Sequence, residues 1–138
     1  MIASSRIRLR TKGDSDIIDI TDRVTSAVAE SGMKDGVAVV FVPGSTAAVT
    51  TTEFEPNLNA DLKKAAERLA PGGAGYRHHE TWGDDNGSSH IRASLIGPSI
   101  SVPFAGGKPM LGTWQQIVLV DFDTRPRDRE LVVQLLGE

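Results

Sequence analysis

The chain contains no cysteine, which excludes disulfides, thiolate metal sites and a cysteine nucleophile together. His, Asp and Glu are left as its only strong metal ligands. Long apolar runs are missing as well, so no window reaches the length of a membrane span. The first ten residues alternate charge with aliphatics and lack the apolar block of a signal peptide, which makes the cytoplasm the expected compartment. Charge of one sign is also scarce. A net charge of -3 gives no general reason to expect nucleic acid or an anionic membrane as partner. Internal repeats and low-complexity segments are absent.

What is present is ordinary globular material. With 138 residues, 39% of them apolar and 24% charged, the chain is expected to form a single domain over residues 1–138, large enough to bury a core. The chemistry is concentrated in one place. Residues 76–90 hold all three histidines, His78, His79 and His90, beside Glu80, Asp84, Asp85 and Asn86. Such a stretch is either a solvated loop or a site, and packed imidazoles and carboxylates suit a divalent metal or an acid/base pair.

Taken in order, the chain reads as follows. Ile7 and Leu9 alternate with Arg6, Arg8 and Arg10, the period-two pattern of a half-buried strand. The arginines read as a solvated sheet face rather than an anion-binding row. Residues 11–14 turn the chain, and residues 17–20 are expected as the hairpin partner. Thr21 is expected to cap a helix that Gly32 ends. Residues 36–42 form a β-branched run, expected as a central strand buried on both faces. Gly44, Ser45 and Thr46 follow at its mouth. That loop either cradles a phosphate or carboxylate with backbone N–H groups or is a plain turn with local Ser-type bonding.

A second β-rich run ends at Glu53. Asn57 or Asn59 is expected to cap the next helix, whose stripe of Leu58, Leu62, Ala65, Ala66 and Leu69 faces inward. After the polar stretch, Ser88 or Ser89 opens a short helix through Leu95, with a strand as the competing reading. Residues 99–104 form a strand whose Pro103 suggests an edge or bulge, and residues 105–108 form a hairpin turn. Residues 110–122 make the longest β run, in which Gly112 suggests a bulge. A turn through residues 123–128 leads to a last strand. The expected class is α+β, with a mixed, largely antiparallel sheet and two to three helices.

Four blocks of this sequence resemble the YjbQ-like family, small proteins described as secondary thiamine-phosphate synthase enzymes. They are Gly44-Ser-Thr-Ala-Ala48 with Glu53 downstream, Tyr76-Arg-His78, Asn86-Gly-Ser-Ser-His90, and Leu111-Gly-Thr-Trp-Gln115 followed by Arg125-Pro-Arg127-Asp-Arg129. The combination is specific, although each piece alone is weak. The resemblance implies a YjbQ-like homotrimer with polar sites near the subunit contacts. It also implies a weak thiamine-phosphate synthase activity, joining hydroxymethylpyrimidine diphosphate to a thiazole phosphate with release of pyrophosphate. The family pattern opens its first block with histidine where this chain has Gly44, so any ligand or proton carrier supplied there must be replaced or done without.

His78 and His90 are the leading catalytic candidates and metal ligands. A divalent metal, zinc or magnesium, needs a further carboxylate, from Glu53 or Asp85. Glu53 is alternatively a general base. On an extended backbone His79 points away from His78, as a bystander. Asn86 reads as the residue that orients His90. Gly44, Ser45, Thr46, Asn86, Trp114, Gln115 and Arg127 are the substrate-binding candidates, with Arg125 and Arg129 as further phosphate clamps. Three functions remain open: a metal-assisted enzyme on a small phosphorylated substrate, a non-catalytic binding module for such a metabolite, and a structural trimer.

Overall fold

The computed structural model describes residues 1–138. Its elements are β1 (Ile2–Arg10), β2 (Asp16–Asp19), α1 (Thr21–Ser31), β3 (Gly36–Phe41), β4 (Ala47–Thr52), α2 (Pro56–Leu69), α3 (His78–Trp82), α4 (Gly87–Ile96), β5 (Ser99–Ala105), β6 (Lys108–Pro109), β7 (Gln116–Asp121) and β8 (Asp128–Gly137). The fold is α+β, but the strands form two sheets instead of one, ordered β1-β8-β3-β5-β6 and β2-β7-β4. Every pairing is antiparallel. There are four helices.

The alternation in β1 holds, with Ile7 buried and the arginines outward, where Arg8 meets Glu130 at 3.0 Å and Arg10 meets Asp128 at 3.0 Å. Its partner is β8, paired from Ile2↔Leu136 to Arg10↔Asp128. The expected hairpin between β1 and residues 17–20 does not form. Those residues run instead beside β7, in the other sheet. The helix after them does begin at Thr21, yet Thr21 does not cap it. The Asp19 carboxylate accepts from the Thr21 N–H and hydroxyl at 2.9 and 2.6 Å, and Thr21 Oγ1 accepts the Ile117 N–H at 2.9 Å. Gly32 ends α1 in the left-handed conformation at φ 73°, as its lack of a Cβ allows.

The two sheets pack face to face over one core, in which Ala38, Val40, Leu119, Leu131, Val133 and Leu135 meet Val24 and Val28 of α1. β3 is central in its sheet, between β8 and β5, but only one of its faces is fully buried. Ala38 and Val40 turn inward, while Val37 and Val39 are half-covered and Phe41 is exposed. The strand buried on both faces is β7. Ile117 and Leu119 enter the main core, and Val118 and Val120 join Ala48, Ala93 and Phe122 in a second cluster under the helices.

Two further expectations fail for local reasons. Residues 110–115 do not extend β7, because Gly112 and Gln115 close a turn: the Gln115 N–H donates to the Gly112 carbonyl at 3.1 Å, and the Gly112 N–H donates to Gln115 Oε1 at 3.0 Å. α2 is capped by neither asparagine. Glu55 is its N-cap, and one carboxylate oxygen accepts from the Asn57 and Leu58 N–H groups. No residue of α2 is fully buried. The β5–β6 hairpin forms as expected, with Gly106 and Gly107 at φ 57° and 76°, the double positive φ that favours glycine there.

Candidate functional site

The polar stretch folds as two helices joined by a tight turn. α3 begins on His78 and ends at Gly83, which lies at φ 71°. Asp85, at φ 53°, then leads into α4. Because residues 78–82 are helical and not extended, His79 is no bystander. Its Nδ1 accepts the Asp85 N–H at 3.0 Å and fixes the turn between the helices. The short helix after Asn86 is present, and the strand reading of residues 91–95 falls away. Ser88 and Ser89 are buried within α4 rather than capping it.

This arrangement brings His78 and His90 together. Their ring centroids are 4.5 Å apart, with the planes inclined at 45°. The carboxylate paired with the site is Asp84, whose Oδ1 lies 3.7 Å from His78 Nδ1, and not the expected Asp85, whose backbone N–H is bound to His79. Asn86 positions His90 through its backbone, its carbonyl accepting the Ser89 and His90 N–H groups at 3.1 and 3.3 Å. Two polar atoms here, His78 Nδ1 and Asn86 Oδ1, are buried with no hydrogen-bond partner in the chain. Buried polar atoms are nearly always paired, so these two set the neighbourhood apart. Tyr76 packs so tightly on the start of α4 that a Cβ on Gly87 would fall 2.6 Å from Tyr76 Cβ.

Gly44, Ser45 and Thr46 belong to a second neighbourhood. Thr46 is buried, and its hydroxyl donates to Asp123 Oδ2 at 2.8 Å while accepting from Arg129 Nη2 at 2.8 Å. Arg129 also grips Asp121, Nε to Oδ2 at 2.8 Å and Nη2 to Oδ1 at 3.0 Å. Thr11 donates to the same carboxylate at 2.7 Å. Arg127 Nε is held by Asp123 Oδ2 at 3.0 Å. Burial pushes the Asp123 carboxyl upward, but bonds from Thr46 and Arg127, the Arg127 charge and the Arg125 amide outweigh it and hold the group below its ordinary value. Gly44, at φ 138°, lets Arg129 Nη1 approach to 2.9 Å from where a Cβ would stand. Gln115 and Trp114 lie in a third place, Gln115 Nε2 donating to Thr51 Oγ1 at 3.0 Å and Trp114 exposed. Glu53 is exposed, and its carboxylate meets no donor or cation of the chain. No hydrogen bond or ion pair joins the three neighbourhoods.

Sequence reasoning passed over Asp121, Asp123 and Thr11. The signal available was two aspartates spaced two apart at the end of an apolar strand, answered by two arginines spaced two apart at the start of the next. As for a metal, the orphaned imidazole nitrogen suits one, but nowhere in the chain do three His, Asp or Glu side chains gather into a ligand set. A catalytic zinc site needs about three protein ligands, so one chain alone does not fit the ion. No helix is long and apolar enough to cross a membrane.

Comparison with known proteins agrees with the fold and adds no chemistry. A family described as UPF0047 protein YjbQ-like matches residues 5–138. A UPF0047 protein of Methanocaldococcus jannaschii is 37% identical over 134 residues, covering 96% of this chain and 94% of its own. One from Archaeoglobus fulgidus is 39% identical over 130 residues, covering 94% and 98%. Among solved structures, a YbjQ-like protein of unknown function from Sulfolobus solfataricus superposes with a TM-score of 0.94 at 33% identity, over 100% of this chain and 99% of that one. An uncharacterized YjbQ/UPF0047 protein from Clostridium acetobutylicum gives 0.88 at 39% identity, over 96% and 99%. Matched along nearly its whole length by both sequence and structure, the chain belongs to the UPF0047 YjbQ-like family.

Proposed function

We propose that the chain is an enzyme acting on a small phosphorylated substrate, with His78 and His90 as its proton-handling pair. The observation that carries this reading is the 4.5 Å approach of the two rings beside a buried His78 Nδ1 that has no hydrogen-bond partner and faces Asp84 Oδ1 at 3.7 Å. A neutral imidazole accepts a proton at one nitrogen while donating from the other, so adjacent rings with a free nitrogen can move a proton to or from a bound group. The reaction suggested by the family resemblance is slow thiamine-phosphate synthesis. There the carbon–oxygen bond to the departing pyrophosphate breaks as the thiazole nitrogen bonds to the same carbon. A protonated imidazole would offset the charge developing on the leaving group.

A divalent metal enters this reading only if a second copy of the chain supplies ligands beyond the two imidazoles. Self-association, which the resemblance puts at three copies, has support of its own. The outer face of the five-stranded sheet leaves Phe41 and Leu136 exposed beside half-covered Val37, Val39 and Val132, an apolar strip that a neighbouring copy would cover.

The second reading, a binding module without chemistry, rests on Arg129 Nη1 at the Gly44 turn, a fixed cation beside open backbone. Incubation with the pyrimidine diphosphate and thiazole phosphate separates the two. We expect slow product formation that falls about 100-fold or more in both His78→Ala and His90→Ala, in line with loss of acid–base catalysis. Substrate binding with no turnover by the native chain, unchanged in both variants, would leave the binding module standing.

A further inference from the structure

α2 is amphipathic and 14 residues long, yet no residue of it is fully buried. Beneath it, between α2, α4 and the outer face of the β2-β7-β4 sheet, runs a groove of about 220 Å³. Ten of its 14 lining residues are apolar, all aliphatic apart from Phe122, and it emerges at Leu69 and Leu95, which are 71% and 63% exposed. Two of its lining residues are charged, Lys63 and Arg92, and none is acidic. Beside it lies a polar cleft of about 460 Å³. Ser15, Ile17 and Lys63 line both, so the two spaces share a wall there, and the cleft carries Lys12, Asp14 and Asp16 as well.

The walls of the groove and the cleft hold two of the four buried polar side-chain atoms that have no hydrogen-bond partner. Ser15 is only 6% exposed, and its hydroxyl has no partner. The buried Asn59 Oδ1 on the cleft wall has none either. Gly13, Asp14 and Ser15 lie consecutively at φ 79°, 54° and 62°, a conformation costly for the two that carry side chains. The loop is held there by its own packing, the Asp14 N–H donating to the Asp123 carbonyl at 2.7 Å. Lys63 reaches Asp14 at 3.5 Å through an exposed pair, which leaves ammonium protons free for another acceptor. Arg92 is occupied, Nε on the Ala70 carbonyl at 2.9 Å and Nη2 on Glu67 at 2.6 Å, so the available donors sit at the Ser15 end.

We propose that this groove binds a linear acyl chain with a carboxylate head. The chain lies under α2 against Leu62, Val118 and Phe122, and the carboxylate meets the Ser15 hydroxyl and the Lys63 ammonium. The site stands apart from the His78–His90 pair and does not depend on the reading given for it.

The test is calorimetric titration of the full chain with carboxylates of increasing length. Acetate should not bind. From hexanoate to decanoate the affinity should rise about fourfold per methylene, levelling off once the groove is filled. Decanol should bind roughly tenfold more weakly than decanoate, as expected for loss of a charge-assisted hydrogen bond. Lys63→Ala and Ser15→Ala should each weaken decanoate several-fold, and Leu62→Glu, on a partly exposed helix face, should abolish binding. His90→Ala should leave it unchanged. No heat with decanoate, or equal affinity along the series, would overturn the proposal. So would a mass measurement in which Leu62→Glu dissociates an oligomer while decanoate binding persists, since the groove would then be a subunit contact.

Discussion

Arg129 and Asp121 form a two-pronged pair in which Nε and Nη2 reach the two carboxylate oxygens at 2.8 and 3.0 Å, with the Asp121 side chain wholly shielded from solvent. The pair joins the start of β8 in one sheet to the end of β7 in the other. It is therefore a clasp between the layers. A buried pair contributes little compared with an apolar replacement, but breaking it strands a charge. Arg129→Ala should cost about 3–5 kcal/mol, read as a lower urea midpoint. Arg129→Met with Asp121→Asn should recover much of the loss. A double variant no better than the single would mean that the clasp acts by shape, not charge.

The neighbouring Asp123 sets a pH dependence whose sign follows from its environment. Its folded pKa lies below the ordinary value of 3.8, so the folded state favours the ionised form. The resulting stability is fully present above the unfolded value and is lost as pH falls through the folded one. Thr46 donates one of the hydrogen bonds responsible. Thr46→Val should cost about 1–3 kcal/mol at neutral pH, since it also removes the acceptor for Arg129 Nη2. The gap from the native protein should narrow below pH 3.8. Urea midpoints between neutral and acid pH decide it, and a constant gap would detach Thr46 from the ionisation of Asp123.

How far these features were legible depends on whether their cause is local. The alternation of Ile7 and Leu9 with arginines is a local pattern, and it marks β1 correctly. The pairing of β1 with β8 joins Ile2 to Leu136, and nothing in residues 2–10 specifies that partner. Residues 11–14 followed by an apolar run look like a hairpin because a turn chemistry is present, but the chain crosses there to the second sheet. The helical start at Gly87 also depends on tertiary packing against Tyr76, and that fixes His90 opposite His78. The clustering of histidines is plain in the sequence, and its geometry is not. Asp121 and Asp123 escape notice because acidic residues ending an apolar strand look like its exposed end, whereas β8 brings two arginines over them.

Gly44 provides a separate test of the turn beside Arg129. At φ 138°, with Arg129 Nη1 2.9 Å from the place a Cβ would take, an alanine meets both a backbone region essentially reserved for glycine and a crowded guanidinium. Gly44→Ala should destabilise by about 1–3 kcal/mol. If the Arg129 Nη1 face is an anion site, the same change should weaken inorganic pyrophosphate binding beyond the loss of stability, measured by calorimetry at a temperature where the variant is folded. Unchanged pyrophosphate affinity in a folded Gly44→Ala would remove that site.

The spacing of the histidine pair should be controlled from Gly87, a residue with no titratable side chain. In the first turn of α4, an alanine would ordinarily favour the helix by about 1 kcal/mol. Here its Cβ would lie 2.6 Å from Tyr76 Cβ and 2.8 Å from Cγ, and neither belongs to the flexible end of a side chain. Tyr76 is tied in turn, its hydroxyl donating to the Pro71 carbonyl at 2.7 Å, so the strain must pass into α3, two residues on. Gly87→Ala should therefore destabilise by about 1–3 kcal/mol, the usual cost of overpacking, and move His78 away from His90. Adding Tyr76→Ala should relieve the overlap, making the double variant more stable than the sum of the single effects predicts. Ring-proton contacts between His78 and His90 in the NMR spectrum report the geometry directly. They should weaken in Gly87→Ala and return in the double variant. Any activity of the pair should follow the contacts and not the stability. Full ring contacts in a destabilised Gly87→Ala would show that Tyr76 supports the helix without setting the distance between the histidines.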